Sequence, residues 1–232
     1  MLLISLCCRD AIACRPPLIG LVTGLTAEAR LGACLGVALA GGGTPEGAAV
    51  AARELVAQGA TALISFGLAG GLNPSLMPGA IVIPAEVIAD DAIYATDPGL
   101  TDRLGGPALS LYAGVGVAVT AEDKRALYAR TRADAIDLES AAVAEVAVAH
   151  EVRFAVLRVI CDTAATTLPA AAMIALDGAG AIDIRQVALS VLRQPRQIPA
   201  LLRLARDTAT ARAALLRHIQ TISLMDYASS AE

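Results

Sequence analysis

The sequence predicts an α/β fold: a single domain of three layers, with a central mixed, largely parallel sheet flanked by helices. Three observations predict it. Short apolar runs end at glycine, as buried parallel strands do. Ala-rich segments of helical length alternate with them. The 232 residues, 56% hydrophobic and 17% charged, are enough to bury one core. A mean hydropathy of +0.63 excludes intrinsic disorder. No uncharged apolar run reaches the ~18 residues of a strong membrane-spanning helix.

Met1 to Pro17 reads as an untidy leader or a mis-set start rather than an export signal, because no basic n-region or cleavage site accompanies its apolar residues. Leu18 to Gly24 is the first buried strand, and a helix is expected from about Thr26 to Leu35. Gly41-Gly42-Gly43 breaks the chain. Thr44 then suits an N-cap and Pro45 a first helical position, for a helix reaching about Gln58. Thr61 to Phe66 is a strand expected to close on a turn, Gly67-Leu68-Ala69-Gly70-Gly71. Ala80 to Pro84 and Leu109 to Val119 are further strands, and Ala121 to Arg130 is a helix. Asp134 to Asp137 is a short strand or turn, Glu139 to His150 a helix, and Val152 to Ile160 a continuous apolar strand. A Pro/Gly-punctuated loop region and a helical tail from about Pro195 to Ile222 complete a domain of residues 18–222, with residues 223–232 as a tail.

Charge and cysteine narrow the classes. With 18 basic and 22 acidic residues the net charge is −4, the wrong sign for a nucleic-acid binder. Cys7, Cys8, Cys14, Cys34 and Cys161 form an odd, unpatterned set, which reads as reduced thiols in the cytoplasm. His150 and His218 are isolated and no zinc spacing occurs, so no metal is expected. Lys124, the single lysine, sits in Thr120-Ala-Glu-Asp-Lys124-Arg125 and reads as part of a solvated helix start.

Ligands of such sheets bind beyond the carboxyl ends of the strands, and three carboxylates fall at such places: Glu28 after the first strand, Glu139 at a helix start, and Asp162 after the long apolar strand. Singly, each has an ordinary reading as a solvated helix residue, a first-turn acid and a turn residue. Together, at element ends around glycines, they form a candidate site.

Four motifs in order carry a family resemblance: Gly24 to Glu28; Gly67 to Gly71 with Pro78-Gly79 after it; Asp137-Leu138-Glu139-Ser-Ala-Ala-Val-Ala144; and Leu157-Arg158-Val-Ile-Cys161-Asp162-Thr163. The chain resembles the purine nucleoside phosphorylase and methylthioadenosine nucleosidase superfamily. The resemblance implies cleavage of a purine N-ribosidic bond. That reaction leaves an oxocarbenium-like sugar and a purine anion, so an acid must protonate a ring nitrogen and acceptors must hold the ribose hydroxyls. By resemblance Asp162 is the acid, with a pKa raised by partial burial. Glu139 takes the hydroxyls with Leu138 beside it, and Glu28 positions the nucleophile. Leu68, Gly70 and Cys161 belong to the substrate-contacting segments, although Leu68 and Cys161 stand where many relatives have serine.

The nucleophile stays open between water and phosphate. Glu28 points to water, whereas the Gly42-Gly43-Thr44 turn ahead of a helix offers either an anion nest or an ordinary capped turn. Phosphate as co-substrate is therefore the one small ion implied, and no other cofactor is. Leu168-Pro169, Asp177-Gly178, Ile182-Asp183 and Pro195 to Ala205 resemble the hopanoid-associated branch, which implies a lipid-linked nucleoside, adenosylhopane. The alternatives are a methylthioadenosine/S-adenosylhomocysteine nucleosidase and, in another class, a noncatalytic nucleoside-binding protein. The resemblance also implies a homo-oligomer.

Ser190 to Ile222 holds six Arg against Asp207, a net of +5 in an otherwise acidic chain. At 3.6 residues per turn Leu201, Leu204, Leu215 and Ile219 share one face, with Arg203, Arg206 and Arg217 opposite and Arg212 among the apolar residues. Such a helix packs on the core or an oligomer interface, the favoured reading, or meets anionic lipid at the inner membrane.

Overall fold

The computed structural model describes residues 18–114, 116, 118–173 and 184–229, the side chains of 184 and 223–229 excepted. The leader, Asp177-Gly178 and Ile182-Asp183 lie outside the described residues. Among the described residues nine strands form one sheet: β1 (Leu18–Thr23), β2 (Val37–Ala40), β3 (Ala60–Gly71), β4 (Ile81–Val82), β5 (Glu86–Ile88), β6 (Ile93–Ala95), β7 (Leu111–Ala113), β8 (Ala135–Asp137) and β9 (Arg153–Asp162). The order runs β2-β1-β3-β8-β7-β5-β6, with β9 beside β3 and β4 beside β9. Pairings β1/β2, β1/β3, β3/β9, β5/β7 and β7/β8 are parallel, and β3/β8, β4/β9 and β5/β6 antiparallel. The sheet is mixed and mainly parallel, as expected.

Successive side chains of a strand point to opposite faces, and here each face meets its own helices. Val22, Leu63 and Val156 share a core with α2 (Pro45–Ala57) and α5 (Ser140–Ala149). Their neighbours Leu21, Ile64 and Leu157 join the opposite core with Leu100 of α3 (Pro98–Arg103) and Ala211, Leu215, Ile219 and Ile222 of α7 (Ile198–Ser229). The remaining helices are α1 (Thr26–Gly32), α4 (Ala121–Thr131) and α6 (Ile184–Arg193). Two cores separated by one sheet make the three layers.

Several boundaries move. The strand expected to stop at Phe66 runs on to Gly71, because Gly67 to Gly70 pair with Arg158 to Asp162 and Gly70-Gly71 with Ile136-Ala135. Backbone hydrogen bonds from both sides hold extended a segment whose glycines alone suggest a turn. A register shift between Ala69 and Gly70 bends the strand as it changes partner. Within the expected strand at Leu109 to Val119 the described residues hold β7, and it starts only after Leu109, which takes a left-handed φ of 67°. The expected C-terminal face is realised in part: Leu215 and Ile219 are buried, Leu201 and Leu204 half-buried, and Arg203, Arg206 and Arg217 exposed. Helix α7 passes the expected boundary at Ile222 and reaches Ser229. No helix among the described residues is long and apolar enough to cross a membrane.

Candidate active site

Glu28 lies in the first turn of α1 and is buried, 3% exposed. Its Oε2 accepts from the backbone N–H of Leu25 at 3.0 Å, and its Oε1 from that of Leu68 at 3.2 Å. The carboxylate thus ties the end of β1 to β3. Gly67, at φ +143°, makes this approach feasible, because a Cβ there would stand 2.7 Å from Glu28 Oε2 and 3.0 Å from Arg158 Nη1. Burial raises the Glu28 pKa, against the Arg158 charge and the backbone N–H bonds.

Glu139 occupies the N-cap position of α5 but makes no capping bond. Asp137 takes the cap's role instead, its Oδ1 accepting from Ser140 N–H at 3.2 Å. That frees Glu139 to turn toward Arg158, whose Nη2 donates to Glu139 Oε2 at 2.9 Å and to Ser65 Oγ at 2.7 Å and lies 2.8 Å from Asp137 Oδ2. Nη1 reaches the Leu68 carbonyl at 3.3 Å. Burial alone would lower the Arg158 pKa, but Asp137, Glu139 and Glu28 outweigh it and hold the guanidinium firmly charged. Burial pushes Glu139 up to about 7, Asp137 and Glu28 adding to it against the pull of Arg158. Its Oε1 is buried without a hydrogen-bond partner. An orphaned buried acceptor is costly, and this one belongs to a pocket-lining residue.

This pKa sets a pH dependence. Below about pH 7 Glu139 holds a proton, and above it both oxygens accept. Binding of a hydroxyl-bearing ligand is expected to tighten as pH rises through that value. Glu139→Gln should bind weakly with no such inflection, checked by measuring KM for a nucleoside across the range.

Asp162 ends β9 and is buried, 5% exposed. Its Oδ1 accepts from the Cys161 thiol at 3.3 Å. Burial, with Asp162 beside it, raises the thiol pKa well above its ordinary value, so Cys161 stays a donor. Asp162 Oδ2 forms an ion pair with Lys124 Nζ, which also donates to the Thr163 carbonyl at 3.0 Å. One expectation changes. Lys124 is not a solvated helix residue: it is 1% exposed, because α4 turns it inward onto Asp162.

These groups line one pocket of about 240 Å³. Glu28, Leu68, Gly70, Leu138, Glu139, Cys161 and Asp162 all reach it, as does Gly43. Thr44 is not among its lining residues, and its hydroxyl accepts from Gly47 N–H at 3.1 Å, which makes it the cap of α2. Arg158, Asp137 and Lys124 were not singled out from the sequence as site residues. A charge inside the apolar run Val152 to Ile160 was the available signal for Arg158, since buried arginines are nearly always paired. Among the described residues no group of three or more His, Cys, Asp or Glu is placed to hold a metal ion.

Solved structures share this architecture. Futalosine hydrolase of Helicobacter pylori superposes with a TM-score of 0.63 at 14% identity, over 88% of this chain and 98% of that one. The methylthioadenosine/S-adenosylhomocysteine nucleosidase of Neisseria meningitidis gives 0.58 at 17% identity, over 87% and 98%. That of Colwellia psychrerythraea, in complex with adenine, gives 0.60 at 19% identity, over 77% and 95%. No curated protein matches in sequence. The model of one family, the phosphorylase superfamily, matches residues 21–193, so the chain that folds into this sheet and pocket belongs to the phosphorylase superfamily.

Proposed function

We propose that this protein cleaves the N-ribosidic bond of a purine nucleoside by hydrolysis. The observation that carries the reading is one pocket holding three kinds of carboxylate: Glu139 with an unpartnered Oε1, Asp162 paired to a cation, and Glu28 held by two backbone N–H groups. Each kind suits one requirement of the reaction. Glu139 accepts the ribose hydroxyls and is oriented by Arg158. Asp162 supplies the proton that lets the base leave through a ring nitrogen. Glu28 orients the nucleophile and takes its proton as the sugar's anomeric carbon is attacked, a role that its raised pKa suits. The largely apolar lining of the pocket strengthens each interaction.

Water is favoured over phosphate by the charge of the site. Glu28, Asp137, Glu139 and Asp162 line the pocket with only two cations, Lys124 and Arg158, and both are engaged by those carboxylates. A phosphate dianion would enter a site whose four carboxylates outnumber its two cations. Thr44 is spent on its helix, which leaves the anion nest to Gly42 and Gly43 backbone.

For the substrate, the solved nucleosidases support a small adenosine thioether, methylthioadenosine or S-adenosylhomocysteine, over adenosylhopane. The lipid-linked reading leaned on C-terminal motifs that are partly outside the described residues. The orphaned acceptor and the ion-paired acid favour an enzyme over a noncatalytic binding protein.

The test is purine release from methylthioadenosine and S-adenosylhomocysteine with and without phosphate, the sugar product being weighed by mass spectrometry. Free methylthioribose formed without phosphate is the expected result. A strict phosphate requirement with a sugar phosphate as product overturns the choice of water. Activity on adenosylhopane alone overturns the substrate class, and no purine from any nucleoside overturns the reading altogether.

A further inference from the structure

Lys124 is a fully buried cation that the reaction above does not use. It comes from α4, 38 residues before Asp162, and two groups meet it: Asp162 Oδ2 and the Thr163 carbonyl. An ammonium has three N–H donors, so one remains after these two, on a residue that lines the pocket. Burying lysine is costly, and a buried ion pair adds little net stability over apolar packing of the same volume. The chain has a single lysine and places it against its candidate acid.

The pairing also raises a chemical difficulty. An acid that protonates a leaving group must carry a proton, whereas both Asp162 oxygens already accept from donors, Oδ2 from the Lys124 ammonium and Oδ1 from the Cys161 thiol. The other charged groups of the pocket, Glu28, Asp137 and Glu139 with Arg158, form a separate network, and Arg158 serves that side alone. Of the two side-chain donors that touch the Asp162 carboxyl, burial holds the Cys161 thiol protonated, which leaves the ammonium as the source.

We propose that Lys124 supplies the proton that Asp162 delivers to the purine. This inference rests on the purine-nucleoside reading of the pocket. An Nζ–H bond breaks as an O–H bond forms on the Asp162 carboxyl. That O–H turns to the ring nitrogen and gives up the proton as the bond between base and sugar breaks, its electron pair staying on the base. Asp162 returns to carboxylate and Lys124 is left a neutral amine. The nucleophilic water adds hydroxide to the sugar and passes its other proton to Glu28 and on to solvent. Lys124 recovers a proton from solvent when the purine departs. The net change is one water consumed, with a purine and a free sugar formed. Lys124 acts through Asp162 and positions the proton, whereas Asp162 touches the substrate.

Arginine at this position separates charge from proton supply, because a guanidinium keeps the ion pair but does not release its proton in proteins. The experiment compares wild type, Lys124→Arg and Lys124→Met on two substrates. Methylthioadenosine needs its leaving group protonated, and para-nitrophenyl β-ribofuranoside has a leaving group that departs as a stable anion. Both variants should lose about 10²–10⁴ of the rate on methylthioadenosine, the range of general acid catalysis. They should lose far less on the nitrophenyl substrate, so that the ratio of the two rates shifts by at least about 10². Lys124→Arg with the wild-type ratio overturns the proposal, because the ion pair alone then suffices. An equal fall on both substrates also overturns it, since that marks a merely structural lysine. If wild-type protein cleaves the nitrophenyl riboside but no purine nucleoside, the functional reading fails with it.

Discussion

Asp162→Asn is expected to lower purine release by about 10²–10⁴ while the protein stays folded. The amide keeps the shape of the carboxyl group and can still accept from Cys161 through its oxygen, so β9 keeps its end. It cannot pass a proton to a ring nitrogen. It also leaves Lys124 without its counter-charge in a buried place, which adds a stability loss separable from the rate by denaturation. Substrate affinity should change less than kcat, because the proton is needed in the transition state more than in the bound complex. Steady-state kinetics on methylthioadenosine, with the fold checked by circular dichroism, decides it. Near wild-type turnover would remove Asp162 from the mechanism.

Arg158→Met should give the largest stability loss of any single substitution in the site. The side chain is 1% exposed and binds Ser65, Glu139, Asp137 and two main-chain carbonyls. Removing it leaves two buried carboxylates face to face, and breaking a buried pair in this way costs about 3–5 kcal/mol. Domains of this kind have about 5–15 kcal/mol in total. The defect should carry a pH signature. Without the guanidinium, the pull that holds Glu139 down is lost, so its folded pKa rises further above the unfolded one. Stability is then retained in acid and lost as pH rises through that value. Urea midpoints for the variant should fall from pH 5 to pH 8 by more than those of wild type, about the pH range where raised carboxyl groups ionise. A pH-independent difference would place the loss in packing instead.

The sheet, the helix layers and the three carboxylates were legible because each rests on a local signal. Val152 to Ile160 is apolar apart from Arg153 and Arg158, and Thr44-Pro45 starts a helix as capping chemistry requires. Glu28, Glu139 and Asp162 stand where strands end. What was missed depends on contacts between distant segments. Gly67 to Gly71 reads as a turn locally, yet strands about 65 to 90 residues later hold it extended. The character of Lys124 was invisible for the same reason, because its helix looks solvated until β9 arrives beneath it. β5, β6 and α3, of three to six residues, are too short to show any period.

The guanidinium of Arg158 joins side chains whose positions in the chain differ by 93 residues for Ser65 and 19 for Glu139. Glu28 meets Leu68 across 40 and Lys124 meets Asp162 across 38. No contiguous fragment shorter than most of the domain contains the whole constellation. A nascent or partly unfolded chain therefore has no weakened version of the pocket, and nucleoside affinity belongs to the native state alone. Ligand binding must then raise the melting temperature in step with concentration. It must also slow amide exchange at β3, β9 and the start of α5 together, as one cooperative unit. In a cell, the supply of nucleoside would protect the protein from proteolysis.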